Sequence, residues 1–111
     1  MSDCLFCKIV AGDVPADKVY EDERVVVFKD INPKARVHLL VIPRIHLATL
    51  EDLKPEHDEL IGHMIRLLPE LAREQGLEQG FRTIINTGKG GGQIIFHLHI
   101  HLLGGPELRG F

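Results

Sequence analysis

The chain has 111 residues, 44% of them hydrophobic, and carries 13 basic and 16 acidic side chains for a formal net charge of −3. This length suits one core, so we expect a single domain over residues 1–111, and the slightly acidic balance argues against binding to nucleic acid. No apolar run approaches the roughly 20 residues needed to cross a bilayer and no secretory signal precedes the first motif, which predicts a cytoplasmic protein without membrane contact.

The first part of the chain predicts a short helix and a β-hairpin. The helix should cover residues 4–10, with Asp3 as its N-cap and Gly12 ending it. Strands over 18–21 and 24–30 flank a polar turn, and the second strand is rich in valine.

The middle of the chain predicts a third strand and one long helix. The strand covers residues 37–42, and the helix begins near Pro55 and stops near Gly76. Pro69 lies inside the helical pattern and should kink or locally break the helix. The predicted apolar stripe is Leu60, Met64, Leu67, Leu68 and Leu71. His57 and His63 fall among polar residues and are expected at the surface.

Two further strands are predicted in the last part of the chain, separated by a glycine-rich loop. They cover residues 81–86 and 94–103, and the loop covers 87–92. The last strand alternates with period two, so its apolar residues share one face and three histidines share the other. The apolar face is Ile94, Phe96, Leu98, Ile100 and Leu102; the other is His97, His99 and His101. Together the elements predict an α+β fold, with a mainly antiparallel five-stranded sheet and one short and one long helix.

Three histidines on one face of a strand indicate a chemical site. Imidazole can act as nucleophile, base, acid or metal ligand near neutral pH. A rise of about 3.3 Å per residue puts neighbouring members roughly 6.5 to 7 Å apart at the backbone, so all three can converge on one small group. A strand whose solvent face merely carries histidine and a metal site built from all three histidines are the alternatives.

Cys4 and Cys7 are the two cysteines of the chain. They are too close in sequence for a disulfide between them to close a useful loop. A redox Cys-x-x-Cys usually follows a strand and opens a helix in a βαβ unit, whereas no strand is predicted before this pair. Their spacing favours one half of a metal site, which needs two more ligands from elsewhere in the chain.

Residues 97–103, His-Leu-His-Ile-His-Leu-Leu, resemble the signature of the histidine-triad (HIT) superfamily of nucleotide hydrolases and transferases. The resemblance covers nearly all of the chain, and its closest branch is the cysteine-containing, zinc-binding nucleoside phosphoramidate hydrolases. It includes Asp-Cys-Leu-Phe-Cys-Lys-Ile at 3–9, Phe-Lys-Asp-Ile-Asn-Pro at 28–33, His-Leu-Leu-Val-Ile-Pro-Arg-Ile-His at 38–46, and Asn-Thr-Gly with Gly-Gly-Gly-Gln between 86 and 93. A HIT-like fold is therefore expected.

The resemblance implies catalytic roles for four histidines. His99 would be the nucleophile that forms a nucleotidyl-histidine intermediate, with its second ring nitrogen held by the backbone carbonyl of His97. His101 would contact the phosphate or the leaving group. His38 matches the fourth histidine of the family and would support the others; the alternative is a buried histidine satisfied by a backbone group.

A nucleotide site is implied as well. Asp30 would accept hydrogen bonds from the ribose hydroxyls, although a lone aspartate beside a turn is more often a cap. The glycine-rich loop would approach the phosphate, although alone such a loop is usually just a turn. The family usually carries a serine after the glutamine, whereas this chain has Ile94. The implied set is Leu5, Phe6, Ile9, Phe28, Asp30, Ile31, Asn86, Gly92, Gln93, Ile94, His99 and His101, whose apolar members could equally be core.

The resemblance also implies a structural zinc held by Cys4, Cys7, His46 and His97, and a homodimer. The expected activity is hydrolysis of nucleoside 5′-monophosphate conjugates, of the adenosine 5′-phosphoramidate type, with a purine nucleotide as the bound partner. Hydrolysis or transfer on dinucleoside polyphosphates is the alternative reaction. A non-catalytic nucleotide-binding interaction module is the alternative of another class.

Overall fold

The computed structural model describes residues 3–106, 108 and 110. The elements, in chain order, are helix α1 (Leu5–Ala11), strands β1 (Lys18–Glu21), β2 (Val25–Lys29) and β3 (Val37–Pro43), helix α2 (Asp58–Glu74), and strands β4 (Arg82–Ile84) and β5 (Ile100–Gly104); 3₁₀ turns lie at Leu50–Asp52, Pro55–His57 and Lys89–Gly91. Within these described residues the strands form one antiparallel five-stranded sheet in the order β1-β2-β3-β5-β4. The predicted α+β fold is confirmed.

The two faces of the sheet carry separate apolar clusters. On β3, Leu39 and Val41 belong to the cluster that contains α2, whereas Leu40 and Ile42 belong to the cluster that contains α1. Because both faces are covered, the central strands are almost continuously apolar rather than alternating with polar residues. β5, which ends the histidine-rich segment, lies beside β3, with Val41 opposite Ile100.

Helix α2 runs unbroken through Pro69, so the expected local break is wrong. The predicted apolar stripe is buried in full, and its packing against the sheet stabilises the helix despite the missing N–H of Pro69. Pro69 and Ile65 are exposed, so water can reach the Ile65 carbonyl that loses its partner. No helix in the described part of the chain combines the length and apolar character needed to cross a membrane.

Helix α1 is capped by Cys4, not by Asp3 as expected. The Cys4 sulfur accepts a hydrogen bond from the Cys7 backbone N–H at 3.3 Å. Gly12 ends the helix in the left-handed region at φ 85°, as predicted. The cap therefore places both cysteines on the first turn of the helix, with their sulfurs close together.

The last strand begins later than the alternation predicts, at Ile100 instead of residue 94, and β4 is shorter than predicted. Ile94 and Phe96 are 89% and 43% exposed, so neither lies on the core face. The neighbouring strand β3 ends at Pro43, whose nitrogen has no hydrogen to donate. Beyond that point the Leu98 N–H instead donates to the Leu47 carbonyl at 2.6 Å. The ladder between β3 and β5 thus ends at the pair Val41 and Ile100, two residues before β3 itself ends.

Candidate active site and metal cluster

A cavity of about 890 Å³ lies on the face of the sheet that carries α1. Its volume is in the range of small-molecule sites. The wall formed by α1 and β2 is apolar, and the opposite wall is formed by β4 and the glycine-rich loop. The residues expected to bind nucleotide all line this cavity: Leu5, Phe6, Ile9, Phe28, Asp30, Ile31, Asn86, Gly92, Gln93, Ile94, His99 and His101.

His99 lies at the floor of the cavity with one ring nitrogen fixed. Its Nδ1 is 2.7 Å from the carbonyl oxygen of His97, which can only accept, so Nδ1 carries the proton and donates it. Nε2 is therefore left with its lone pair. The Phe6 ring meets the imidazole edge-to-face, with 5.2 Å between ring centroids, and restricts its rotation. An imidazole held in this way is suited to nucleophilic attack.

His101 is oriented by a chain of hydrogen bonds that starts at the backbone. The Lys34 N–H donates to His38 Nδ1 at 3.0 Å, so the proton of the neutral His38 ring is on Nε2. His38 Nε2 lies 3.0 Å from His101 Nδ1 and donates to it. His101 consequently carries its own proton on Nε2, where it can serve as a hydrogen-bond donor.

Burial keeps both of these rings neutral. Burial, with the neighbouring His99 and His38 adding to it, lowers the pKa of His101 to about 4. Burial also lowers the pKa of His38, against the attraction of Asp30. At neutral pH His101 is therefore an uncharged donor and not an imidazolium.

Asp30 lies beside the hydrogen-bonded rings of His38 and His101. Its Oδ1 accepts the Asn32 N–H at 2.7 Å and its Oδ2 lies 3.4 Å from His38 Nε2. The ligand atoms of Asp30, His38 and His101 all lie within 4.8 Å of one another, close enough for a metal ion. The direction of the Lys34 hydrogen bond argues against that use, because a protonated His38 Nε2 has no lone pair for a metal.

A second cluster lies behind the cavity and joins Cys4, Cys7, His46 and His97. Cys7 Sγ is 3.2 Å from His46 Nδ1 and 3.5 Å from His97 Nδ1; Cys4 Sγ is 3.4 Å from His97 Nδ1; and the two Nδ1 atoms are 3.3 Å apart. In a tetrahedral S₂N₂ metal site the same pairs are separated by roughly 3.6 Å for S–N and 3.4 Å for N–N. The donor set therefore fits a metal ion.

His97 is the residue that connects this cluster with the cavity. It is wholly buried, and its Nε2–H donates to the Pro43 carbonyl at 2.9 Å, which leaves the lone pair of Nδ1 facing the cysteines. Its own carbonyl holds His99. The expectation that the first triad histidine acts through its backbone is consistent with this position, because His97 does not line the cavity.

Gln93 has a structural function that the sequence did not indicate. Its side chain is bound entirely by main-chain groups: Oε1 accepts the Gly88 N–H at 2.8 Å, and Nε2 donates to the carbonyls of Ala48 at 2.8 Å and Ile95 at 3.0 Å. The loop backbone has positive φ at Gly88 and Gly92, which glycine adopts without strain. The Gln93 side chain therefore stabilises the conformation of the glycine-rich loop.

Both histidines that were expected at the surface are partly buried: the side chain of His57 is 13% exposed and that of His63 is 28% exposed. His63 on α2 is half-buried, with its Nε2 2.6 Å from Asp22 Oδ2, and links the helix to the turn between β1 and β2. Asp22 also accepts from the Tyr20 hydroxyl at 2.7 Å and from the Val25 N–H at 2.9 Å. The expected surface position of His63 is wrong because these partners come from a distant hairpin.

The sequence of this chain is similar to those of several known proteins. The family described as "Scavenger mRNA decapping enzyme C-term binding" matches residues 3–108. "Protein HitA" of Neisseria gonorrhoeae is 56% identical, over 96% of this chain and 99% of that protein. "Purine nucleoside phosphoramidase" of Escherichia coli K12 is 43% identical, over 94% and 88%. "14 kDa zinc-binding protein" of Zea mays is 40% identical, over 96% and 85%.

Solved structures agree with these sequence relatives. A histidine triad protein from Clostridium difficile is 43% identical, with a TM-score of 0.94 over 100% of this chain and 97% of that chain. A HIT family hydrolase from Legionella pneumophila is 44% identical, with a TM-score of 0.93 over 96% of both chains. The chain therefore belongs to the histidine-triad (HIT) superfamily.

Proposed function

We propose that the chain is a hydrolase of nucleoside 5′-monophosphate conjugates of the adenosine 5′-phosphoramidate type, acting through a covalent nucleotidyl-histidine at His99. The observation that carries the proposal is the hydrogen bond from His99 Nδ1 to the His97 carbonyl at 2.7 Å, which leaves the lone pair of Nε2 available beside the cavity. The E. coli relative named as a purine nucleoside phosphoramidase supports the same substrate class.

The reaction would proceed in two displacements. His99 Nε2 attacks the phosphorus, a phosphorus–nitrogen bond to His99 forms, and the phosphorus–nitrogen bond to the leaving amine breaks. Water then cleaves the nucleotidyl-histidine, which releases the nucleoside monophosphate and restores His99. The Nε2–H of His101 donates to a phosphoryl oxygen or to the departing group, as its orientation by His38 allows.

The nucleotide would bind with its base against the apolar wall. Leu5, Phe6, Ile9 and Phe28 would provide an apolar contact that suits a purine without many polar contacts to its edge. Asp30, which also lines the cavity, would accept hydrogen bonds from the ribose hydroxyls. The backbone N–H groups of the glycine-rich loop would approach the phosphate, held in place by the Gln93 side chain.

The second cluster would hold a structural zinc ion. Cys4, Cys7, His46 and His97 complete a tetrahedron and leave no position for a reactive water, so the ion would stabilise the fold without activating a nucleophile. The relative from Zea mays named as a zinc-binding protein supports the choice of metal. Through His97 the ion would also fix the carbonyl that orients His99.

The assembly and cellular setting belong to the same proposal. We infer a single domain over residues 1–111 that acts as a cytoplasmic homodimer, because a chain of this size gains stability by association and the family resemblance points the same way. Sedimentation equilibrium distinguishes a mass near 25 kDa from the 12.5 kDa of the single chain.

The decisive experiment measures turnover of an adenosine 5′-phosphoramidate by wild type and by His99→Ala. The variant should lose activity by about 10⁴-fold or more while keeping its melting temperature and its affinity for adenosine monophosphate. Rapid quenching of the wild type should trap one adenylyl group on the peptide that contains His99. His57→Asn is a matched control, because it alters a histidine outside the cavity and keeps a side-chain acceptor for the Lys54 N–H.

The same assay separates the alternative functions. Faster turnover of a diadenosine polyphosphate than of the phosphoramidate would favour the alternative reaction, which uses the same nucleophile. Tight binding of adenosine monophosphate with no turnover of either substrate would indicate an interaction module. We expect such binding without turnover if Ile94, which stands where the family usually has a serine, gives the leaving group too little assistance. Equal turnover by wild type and His99→Ala would refute the assignment of His99 as the nucleophile.

A further inference from the structure

Ile94 presents an apolar side chain to the cavity at a position that the surrounding loop holds in place. It is 89% exposed and lines the same cavity as His99 and His101. The residue before it, Gln93, is only 5% exposed and has three hydrogen bonds to main-chain groups. The exposure of Ile94 therefore reflects a fixed backbone and not a loose loop.

The two side-chain amides nearest to Ile94 in the sequence, those of Gln93 and Asn86, already form hydrogen bonds with main-chain groups. Gln93 is bound by the groups described above, and Asn86 Nδ2 donates to the Gly91 carbonyl at 2.9 Å. Lone exposed isoleucines are common on protein surfaces. Here, however, the isoleucine lines the same cavity as His99 and His101, while the Gln93 amide and the Nδ2 group of Asn86 already donate to main-chain carbonyls.

A second exposed isoleucine, Ile84, lines the same cavity, two residues from Arg82 on the same face of β4. Ile84 on β4 is directly opposite His101 in the antiparallel pairing with β5, so the two side chains lie on the same face of the sheet. Ile84 is 36% exposed and lines the cavity. Because β5 lies between β3 and β4, Ile84 is separated by His101 from β2 and β3, against which α1 packs.

We propose that Ile94, with Ile84, forms a leaving-group subsite that selects phosphoramidates whose amine carries an apolar substituent. The inference rests on the proposed function, since it assigns the base to the α1 wall and the phosphate to His99 and His101. A leaving group that departs from the opposite side of the phosphate then meets the two isoleucines. Ile94 is thus a specificity-determining residue and not a catalytic one.

The test uses adenosine 5′-phosphoramidates of methylamine, n-butylamine and n-hexylamine. These amines have nearly equal basicity, so the chemical step is constant while the apolar surface grows. A fully buried methylene corresponds to about a fourfold gain, and a subsite open on one side should give about twofold, hence about 30-fold in kcat/KM from methyl to hexyl. A 5-hydroxypentylamine conjugate, of similar length but ending in a neutral hydroxyl, should lose much of that gain; a neutral end is used because Arg82 also lines the cavity.

Variants of Ile94 test whether this residue causes the preference for longer alkyl chains. Ile94→Ala should reduce the methyl-to-hexyl ratio to below about fivefold, and Ile94→Leu, which keeps the apolar area, should retain most of it. Ile65→Ala is the matched control, because Ile65 is 47% exposed on helix α2 outside the cavity and its loss should leave the ratio unchanged. Melting temperatures of all three variants check that the fold is intact.

The outcomes separate this inference from the proposed function. If wild type does not hydrolyse the methylamine conjugate, the proposed function fails, and the dissociation constants of the same three conjugates then test the subsite through the same ratio. If wild type hydrolyses that conjugate but gains nothing from the longer chains, the subsite is refuted. A gain that survives unchanged in Ile94→Ala overturns it as well.

Discussion

Replacing His101 by glutamine should make the protein less sensitive to acid. The pKa of His101 is about 4 in the folded chain, chiefly because of burial, against 6.5 for an unperturbed histidine. As the pH falls through this window the unfolded chain binds a proton that the folded chain refuses, so stability present above pH 6.5 is lost towards pH 4. From pH 7 to pH 4.5 this loss is roughly 2 kcal/mol, and about 1 kcal/mol after allowance for partial solvent exposure.

Urea unfolding at the two pH values measures this difference. The wild-type midpoint should fall by about 0.5 M more than that of His101→Gln, given a slope of about 2 kcal/mol per M. Glutamine can still accept the hydrogen bond from His38, so the variant removes the titration with little change in packing. Other acid-sensitive groups, including a bound metal, affect both proteins and cancel in the comparison. A parallel loss of stability in the two proteins would refute the assignment of a neutral, buried His101.

Two further changes test other parts of the structure. Cys4→Ser combined with Cys7→Ser should remove about one zinc ion per chain, as measured by elemental analysis. The double variant should also have a lower melting temperature and bind adenosine monophosphate more weakly, while kcat falls much less. Unchanged metal content would contradict the proposed zinc site. Gly104→Ala should destabilise by about 1–3 kcal/mol in urea unfolding, because its Cβ would overlap the buried Leu77 side chain, 2.9 Å from Cγ. Gly62→Ala, a helical position with nothing within 4 Å of the added carbon, is the control and should be neutral or stabilising.

The local elements were predictable where a short-range pattern decides them. The valine-rich hairpin, the strand that Pro43 ends and the apolar stripe of α2 all form as expected, because β-branched residues favour strands and a stripe at spacings of three and four is buried by one helix face. Errors occurred where packing outweighs local preference. Pro69 is accommodated because buried residues on the opposite face hold α2 together.

The sequence predicted which side chains lie close together, but not the hydrogen bonds that arrange them. The resemblance to the HIT family brought Cys4, Cys7, His46 and His97 into one expected set, and their donor atoms lie within 3.5 Å of one another in the pairs described above. Neither the motif nor its spacing indicated that Gln93 binds main-chain groups on three segments. The glutamine's partners are all main-chain groups, which carry no side-chain signature in a sequence, and one of them, the Ala48 carbonyl, is 45 residues away.

The sequence by itself determined that the three histidines alternate with apolar residues, and hence that an extended backbone would turn them to one side, because period two is a property of neighbouring residues alone. The tertiary structure decided which ring nitrogen carries each proton. Lys34 sets the tautomer of His38 from a turn, and Pro43 sets that of His97 from the end of β3. Hydrogen bonds are directional, and the bonds from His97 to Pro43 and from His38 to His101 join residues that are 54 and 63 positions apart. The chemistry of these imidazoles therefore depends on how the strands come together.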